Sequence, residues 1–147
     1  MGSTVLLVAN RTADTDRLRE VVAQRASHGA DAFHLVVPAV PHGLHRVVDP
    51  EVAGWEEAQA ALVLALPSLS EAAGCEVSGE VGSADPLAAI QDALARRDLD
   101  EIIVSTLPRR VSRWLRLDLP SKAGGLGLPV THVEAARVPE PILAVNQ

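Results

Sequence analysis

The sequence is poor in aromatic residues: among its 147 residues only Phe33, Trp55 and Trp114 represent Phe, Trp or Tyr, and tyrosine is absent. Proteins that bind RNA or single-stranded DNA stack the bases on such rings, so this class is disfavoured. The apolar residues are mainly Ala, Val and Leu, within a hydrophobic fraction of 48%. This composition suits helices packed on a buried sheet, and the length predicts one domain with its own core.

Cysteine and long apolar runs are scarce as well. Cys75 is the only cysteine, which excludes an intramolecular disulfide and a multi-cysteine zinc site. We expect it to be a buried thiol within a strand. No stretch reaches the roughly 18 uninterrupted apolar residues of a membrane span, and the first residues lack the pattern of a signal peptide. We therefore expect a soluble, cytoplasmic protein with no membrane partner.

Lysine is nearly absent, because 12 of the 13 basic residues are arginine. Acids outnumber bases by 19 to 13, and the resulting net charge of −6 argues against a nucleic-acid partner. The bases are unevenly spread along the chain. Residues 106–122, here called the Arg-rich loop, contain a single acid, Asp118, and five bases: Arg109, Arg110, Arg113, Arg116 and Lys122.

Two hydrophobic periodicities alternate along the chain, which is typical of an α/β protein. Apolar runs and alternation predict five strands, at residues 4–9, 32–37, 75–81, 101–105 and 128–133. Helical spacing predicts four helices, at residues 12–27, 51–73, 86–97 and 121–126. Asp85 suits the cap of the third helix and Pro86 its first position. We expect Pro67 to kink or break the second helix. Right-handed crossovers then give a doubly wound, mostly parallel five-stranded sheet with helices on both faces, a Rossmann-like fold.

The predicted domain covers residues 1–134, and residues 135–147 form a C-terminal tail. The tail contains a strand-like run at 142–145. Because an exposed sheet edge can pair with another strand, we expect this run to add a strand or to form a dimer contact.

Four loops follow the carboxyl ends of the predicted strands, where doubly wound sheets bind ligands. Asn10 and Thr12 follow the first strand and could hydrogen-bond a ligand, although a helix cap is the favoured role of Thr12. Ser83 precedes a helix start that could hold an anion, although Asp85 would satisfy the same N–H groups itself. Thr106 ends the fourth strand and begins the Arg-rich loop.

The Arg-rich loop is the most unusual of these candidate sites. The guanidinium groups of Arg109, Arg110 and Arg113 match phosphate oxygens, and Trp114 could cover a base or ribose. The alternative is a solvated loop that Val111, Trp114 and Leu115 anchor to the core, with its arginines paired to acids, for instance across a dimer. The sequence leaves both interpretations open.

Other chemistry finds little support. His42 and His45 could form a metal site with Asp49 and Glu51, but we expect ordinary loop histidines and no metal. The sequence contains no Gly-x-Ser-x-Gly elbow, no Walker A motif and no recognisable Cys/His pair. We therefore assign no catalytic residue and leave an enzymatic activity undecided.

Element order and two segments of the chain resemble the universal stress protein family. The first, Gly82 to Ile90 continuing through residues 100–104, is similar to the family's Gly-x-Pro helix start and the strand that follows it. The second, residues 127–130, is similar to the family's closing strand. The resemblance covers about residues 4 to 134. It implies a five-stranded sheet, a homodimer, a role in stress response and one of two subclasses, with or without bound ATP.

The ATP-binding subclass is characterised by an aspartate after the first strand and by the loop motif Gly-x2-Gly-x9-Gly-Ser/Thr. This chain has Ala9 or Asn10 at the aspartate position. At the four motif positions it has other residues: Thr106, Arg109, Leu119 and Pro120. A Cβ atom blocks the close approach of backbone to phosphate that glycine allows.

The resemblance therefore implies a divergent, non-ATP-binding member: a non-catalytic regulatory or binding domain that acts through protein partners and requires no cofactor. The alternative is a nucleotide- or phosphate-binding switch, or a slow nucleotide hydrolase, that uses the Arg-rich loop. ATP or another nucleotide would then be its ligand.

Overall fold

Five parallel strands form the central sheet in a computed structural model that describes residues 2–40 and 50–136. The strands are β1 (Ser3–Val8), β2 (Ala30–Pro38), β3 (Ser78–Gly82), β4 (Glu101–Thr106) and β5 (Val130–Glu134). Their order across the sheet is β3-β2-β1-β4-β5, and every neighbouring pair is parallel. The predicted five-stranded, doubly wound α/β fold is confirmed.

The helices cover both faces of this sheet. They are α1 (Asp16–Ser27), α2 (Pro50–Ala73), α3 (Pro86–Arg96), α4 (Arg113–Arg116) and α5 (Leu119–Gly124), and a short 3-10 turn spans Arg109–Val111. On one face α1 and α2 pack on a core that includes Leu18, Leu35 and Ile103. On the other face α3 and α5 pack on a core that includes Leu6 and Ile102. The central strands are thus buried on both sides, which explains their continuous apolar sequences.

Local chemistry accounts for most helix ends. Asp85 caps α3 by accepting a hydrogen bond from the backbone N–H of Leu87, and Pro86 occupies the first helical position, as predicted. Gly74 ends α2 with φ = +74°, a conformation that glycine adopts without strain.

The start of α1 corrects the sequence prediction. The helix begins at Asp16 rather than at Thr12, and its cap is Thr15, whose side chain accepts a hydrogen bond from the backbone N–H of Leu18. Both threonines have the chemistry of a cap, but the hydroxyl of Thr12 is engaged with Ser105 on β4. The prediction that Thr12 caps the helix is therefore wrong.

Pro67 does not break α2, which runs without interruption from Pro50 to Ala73. Pro67 cannot donate the hydrogen bond that the carbonyl of Val63 would otherwise receive. Both residues lie on the exposed side of the helix, and Val63 is 59% exposed. Water can therefore hydrate that carbonyl, which makes the proline tolerable there.

Cys75 also differs from its prediction. It is exposed and precedes β3, which begins only at Ser78. Its Sγ lies 3.8 Å from the carbonyl oxygen of Asp31. The chain needs residues 75–77 to turn from the end of α2 into the sheet, so the strand is shorter than the alternating pattern suggested.

Several predictions fall outside the described residues. These concern His42, His45 and Asp49, the side chain of Glu51 and the strand-like run at 142–145. Over residues 2–40 and 50–136, no helix combines the length and the apolar character needed to cross a membrane.

Candidate functional site

The strand order reverses between β1 and β4, and the carboxyl ends of these two strands form the switch point of the sheet. This is where a doubly wound fold binds ligands. Asn10 and Thr12 follow β1, and Thr106 ends β4 and leads into the Arg-rich loop. Ser83 follows β3, at the edge of the sheet and two strands away from β1. The topology therefore brings together the candidates from β1 and β4, and it leaves Ser83 apart from them.

Thr12 and Ser105 form a buried hydroxyl pair beneath the switch point. Their oxygens lie 2.6 Å apart, and each residue is 2% exposed. Because each hydroxyl already has a partner in the core, the pair ties the loop after β1 to β4. The hydroxyl of Thr12 therefore has a structural partner on β4.

We expect Thr12→Val to lower the free energy of unfolding by about 1–2 kcal/mol, because the hydroxyl of Ser105 is left buried without its partner. The double variant Thr12→Val/Ser105→Ala should regain much of this loss, since both polar groups are then removed. Urea denaturation of the two single variants and the double variant measures the coupling. Strictly additive losses would show that the two hydroxyls do not stabilise the fold as a pair.

Thr106 is the corresponding buried hydroxyl on the other face of the sheet. It is 2% exposed, and its Oγ1 donates a hydrogen bond of 3.0 Å to the carbonyl oxygen of Leu107. The same oxygen lies 2.8 Å from Nε2 of His132 on β5. Burial is the main cause that lowers the pKa of His132, opposed by Glu134 and assisted by Arg109. Since the hydroxyl hydrogen is directed to Leu107, the imidazole donates to Thr106 through its Nε2–H.

Asn10 and Ser83 also bond within the protein. Asn10 donates from its side-chain amide to the carbonyl oxygen of Pro38, which joins the ends of β1 and β2. Ser83 is exposed, and its hydroxyl accepts a hydrogen bond of 3.3 Å from the backbone N–H of Asp85. Asp85 in turn occupies the N-terminus of α3, as the sequence indicated. Both side chains thus contribute to the local structure of the loops that follow their strands.

The Arg-rich loop is folded into the 3-10 turn, α4 and the start of α5. Trp114 is half-buried and packs against the core beneath α3, so it anchors the loop as one sequence interpretation predicted. Val111 does not anchor it, since it is 42% exposed. The backbone N–H of Arg109 donates a hydrogen bond of 2.7 Å to Oε2 of Glu134, which fastens the loop to the end of β5.

All five basic side chains of this loop are exposed. With the residues that the structure describes, none of the five forms an ion pair or a side-chain hydrogen bond. Arg19, Arg25 and Arg96, by contrast, each pair with a carboxylate. The pairing with acids that the sequence allowed for the loop therefore does not occur within the described chain.

A second polar cluster, which the sequence prediction missed, lies between β2 and β3. His34 is 1% exposed, and its Nδ1 lies 2.7 Å from Oγ of Ser78 and its Nε2 lies 2.7 Å from Oε2 of Glu80. Arg96 of α3 contacts the other oxygen of Glu80 at 2.7 Å. Since a carboxylate only accepts hydrogen bonds, the neutral imidazole carries its hydrogen on Nε2 and donates it to Glu80. The hydroxyl of Ser78, beside Nδ1, also donates a hydrogen bond of 3.3 Å to the carbonyl oxygen of Phe33.

The groove above this cluster is shallow and has a volume of about 420 Å³. Glu80, Ser83 and Arg96 contribute to its walls. The only sequence indication of the cluster was a histidine within an apolar strand, because pairing with Ser78 and Glu80 depends on the register of β2 and β3. Within the described ranges, no group of three or more His, Cys, Asp or Glu residues could hold a metal ion.

No protein-family model matches the chain, and no curated protein matches it. Comparison with solved structures, however, does find matches. A universal stress protein from Archaeoglobus fulgidus shares 19% identity with a TM-score of 0.60, and the match covers 90% of this chain and 94% of that one. The chain has the universal stress protein fold.

Two further matches with this fold contain nucleotides. A universal stress protein in complex with cAMP has 16% identity and a TM-score of 0.58, over 89% of this chain and 96% of its own. The Archaeoglobus fulgidus protein in complex with dAMP has 19% identity and a TM-score of 0.56, over 90% and 98%. The sequence resemblance to universal stress proteins is thus matched by a structural likeness across nearly the whole chain.

Proposed function

We propose that this chain is a divergent universal stress protein that serves as a non-catalytic regulatory or binding domain and does not hold ATP in the family's usual way. The observation that carries the proposal is the state of the polar groups at the switch point. The hydroxyls of Thr12, Ser105 and Thr106 are buried and hydrogen-bonded inside the protein. A role in stress response and a cytoplasmic setting belong to the same proposal.

Among the described residues at the switch point, no hydroxyl group is accessible enough to act as a catalytic nucleophile. The contact between Thr106 and His132 has the distance of a hydroxyl–base pair. However, Thr106 is 2% exposed and its hydrogen is directed to the carbonyl of Leu107. The imidazole therefore supports the hydroxyl structurally and is not placed to take its proton.

The backbone at the start of the Arg-rich loop is also unsuited to cradle phosphate. Thr106 and Arg109 carry a Cβ where the family's ATP-binding motif has glycine. The N–H of Arg109 already donates to the carboxylate of Glu134. A phosphate approaching this amide would have to displace a carboxylate and would meet its negative charge.

The unpaired cations of the Arg-rich loop favour a second candidate function, a nucleotide- or phosphate-binding switch. Exposed guanidinium groups can bind phosphate through side chains alone, without a glycine cradle. Two universal stress proteins with the same fold hold cAMP and dAMP. Such a site would use Arg109, Arg110 and Arg113.

Calorimetric titration with ATP, AMP, dAMP and cAMP separates the two candidates. We expect no binding heat up to millimolar nucleotide, because the hydroxyls at the ends of β1 and β4 and the backbone N–H of Arg109 already have partners within the protein. Micromolar binding that Arg109→Ala/Arg113→Ala abolishes would overturn this expectation and establish the switch. Arg17→Ala is the matched control, since Arg17 is an exposed arginine of α1 outside the loop.

A further inference from the structure

The exposed large hydrophobic residues of the described chain fall into two places. Trp55, Val63 and Leu64 lie on α2 and are 54%, 59% and 48% exposed. Val111 and Leu117 lie in the Arg-rich loop and are 42% and 50% exposed. Scattered exposed hydrophobic residues are ordinary, but residues grouped on two surfaces suggest that each surface is covered in the working protein.

The first surface, here called the acidic helix face, consists of Trp55, Glu56, Ala60, Val63 and Leu64. These residues line an open, mainly apolar depression of about 490 Å³. The 24 residues of α2 contain four glutamates and no lysine or arginine. Among the residues that line the depression Glu56 is the charged one, so the face is apolar at its centre and carries one negative charge.

The second surface, here called the basic face, is formed by the exposed residues of one ordered segment of the Arg-rich loop: Arg110, Val111, Arg113, Arg116 and Leu117. Its two apolar residues lie among arginines that make no ion pair with any described residue. The 3-10 turn and α4 order the backbone, and Trp114 fastens the segment to the core. An ordered surface loses little conformational entropy when a partner binds it.

The two faces cannot meet within one chain. α2 packs with α1 against one side of the sheet, whereas Trp114 packs with the core on the opposite side. Any contact between the two faces must therefore join two copies of the protein.

We propose that the acidic helix face of one copy binds the basic face of a second copy. The charge of Glu56 is opposite to that of the arginines on the other face, and both faces expose large apolar side chains. Trp and Arg are also residue types that dominate binding energy at protein interfaces. The contact is head-to-tail, since the two copies use different surfaces. Such contacts build closed rings or open chains and leave one unused face at each end of an open chain.

Sedimentation velocity of the full chain tests this association. The mean mass should rise above 15.5 kDa with protein concentration at low salt, and association should weaken about tenfold between ~50 mM and ~500 mM salt because the charges are screened. Each of two variants disrupts one face. Trp55→Ser/Val63→Ser changes the acidic helix face on α2, and Arg110→Glu/Arg113→Glu/Arg116→Glu changes the basic face in the loop. Each should weaken self-association about tenfold or more.

A mixture of the two variants provides the decisive measurement. The α2 variant retains its basic face, and the loop variant retains its acidic helix face, so an equimolar mixture should regain the contact that each variant alone has lost. Recovery also shows that both variants are folded. Arg17→Glu is the charge control and should associate like the wild type, since Arg17 is exposed on α1 and lies outside both faces.

Three results would overturn the proposal. The first is a chain whose mass does not change with concentration or salt. The second is self-association that keeps the wild-type dependence on concentration and salt in both variants, which would point to another surface such as the predicted contact through the last strand. The third is loss in each variant without recovery in the mixture, which would mean that each face binds its own counterpart or a different partner.

Discussion

Ile102→Ala and Ile103→Ala are each expected to lower the free energy of unfolding by about 2–5 kcal/mol. The two residues are neighbours on β4, both are 0% exposed, and they belong to the two different cores of the sheet. Each substitution deletes a large buried side chain and leaves a cavity that the surrounding helices can fill only in part. Urea denaturation monitored by circular dichroism measures both losses.

The comparison between these neighbours tests the double-sided burial of the sheet. In a strand with one solvated face, only one of two adjacent residues would be costly to truncate, because side chains alternate between the faces. Val63→Ala is the control: Val63 is 59% exposed, so the expected change is within about 0.5 kcal/mol. A small loss for either isoleucine would contradict a sheet covered on both faces.

Double-sided burial also explains why the central strands could be predicted from the sequence. Residues 5–8 of β1 and 102–104 of β4 are wholly buried, so their sequences are uninterrupted apolar runs. The edge strand β3 was placed less accurately. It has five residues, two of which are glycine, and its burial is only partial. A weakly buried edge strand leaves a faint hydrophobic pattern, and its start was predicted three residues too early.

The candidate site could likewise be predicted from the sequence only in part. Its position at the carboxyl ends of β1 and β4, and the exposure of the Arg-rich loop's bases, follow from element order and composition. The hydrogen-bond partners of its hydroxyl groups do not follow from element order and composition. Thr12 bonds to Ser105, 93 residues further along the chain, and no local pattern records such a contact. The same holds for Glu134, which binds the backbone of Arg109 from the last strand.

Acidification below about pH 6.5 is expected to destabilise the protein, with His34 as a principal contributor. Burial, assisted by the charge of Arg97 and opposed by the hydrogen bond to Glu80, holds the pKa of His34 below its ordinary value of 6.5. The unfolded chain therefore takes up this proton at a higher pH than the folded protein. Stability falls by up to about 1.4 kcal/mol per pH unit below the unfolded pKa and levels off at the lower folded pKa.

His132 and Glu80 act in the same direction. Burial also lowers the pKa of His132, so its contribution is lost over a similar range. Burial by itself would raise the pKa of Glu80, but hydrogen bonds from His34 and Arg96 hold it below the ordinary value of 4.5. The stabilisation by Glu80 is present above the unfolded pKa and disappears as the pH falls through the folded one.

His34→Gln separates these contributions. The glutamine amide can still donate to Glu80 in place of Nε2–H but does not titrate, so the decline of stability below pH 6.5 should become shallower while stability at neutral pH changes less. Urea denaturation at a series of pH values measures this slope, and His28→Gln, at an exposed helix end, is the control. A slope that is the same in His34→Gln and in the wild type would mean that the buried imidazole does not titrate with unfolding. The Ser78–His34–Glu80 cluster would then stabilise the edge of the sheet independently of pH in this range.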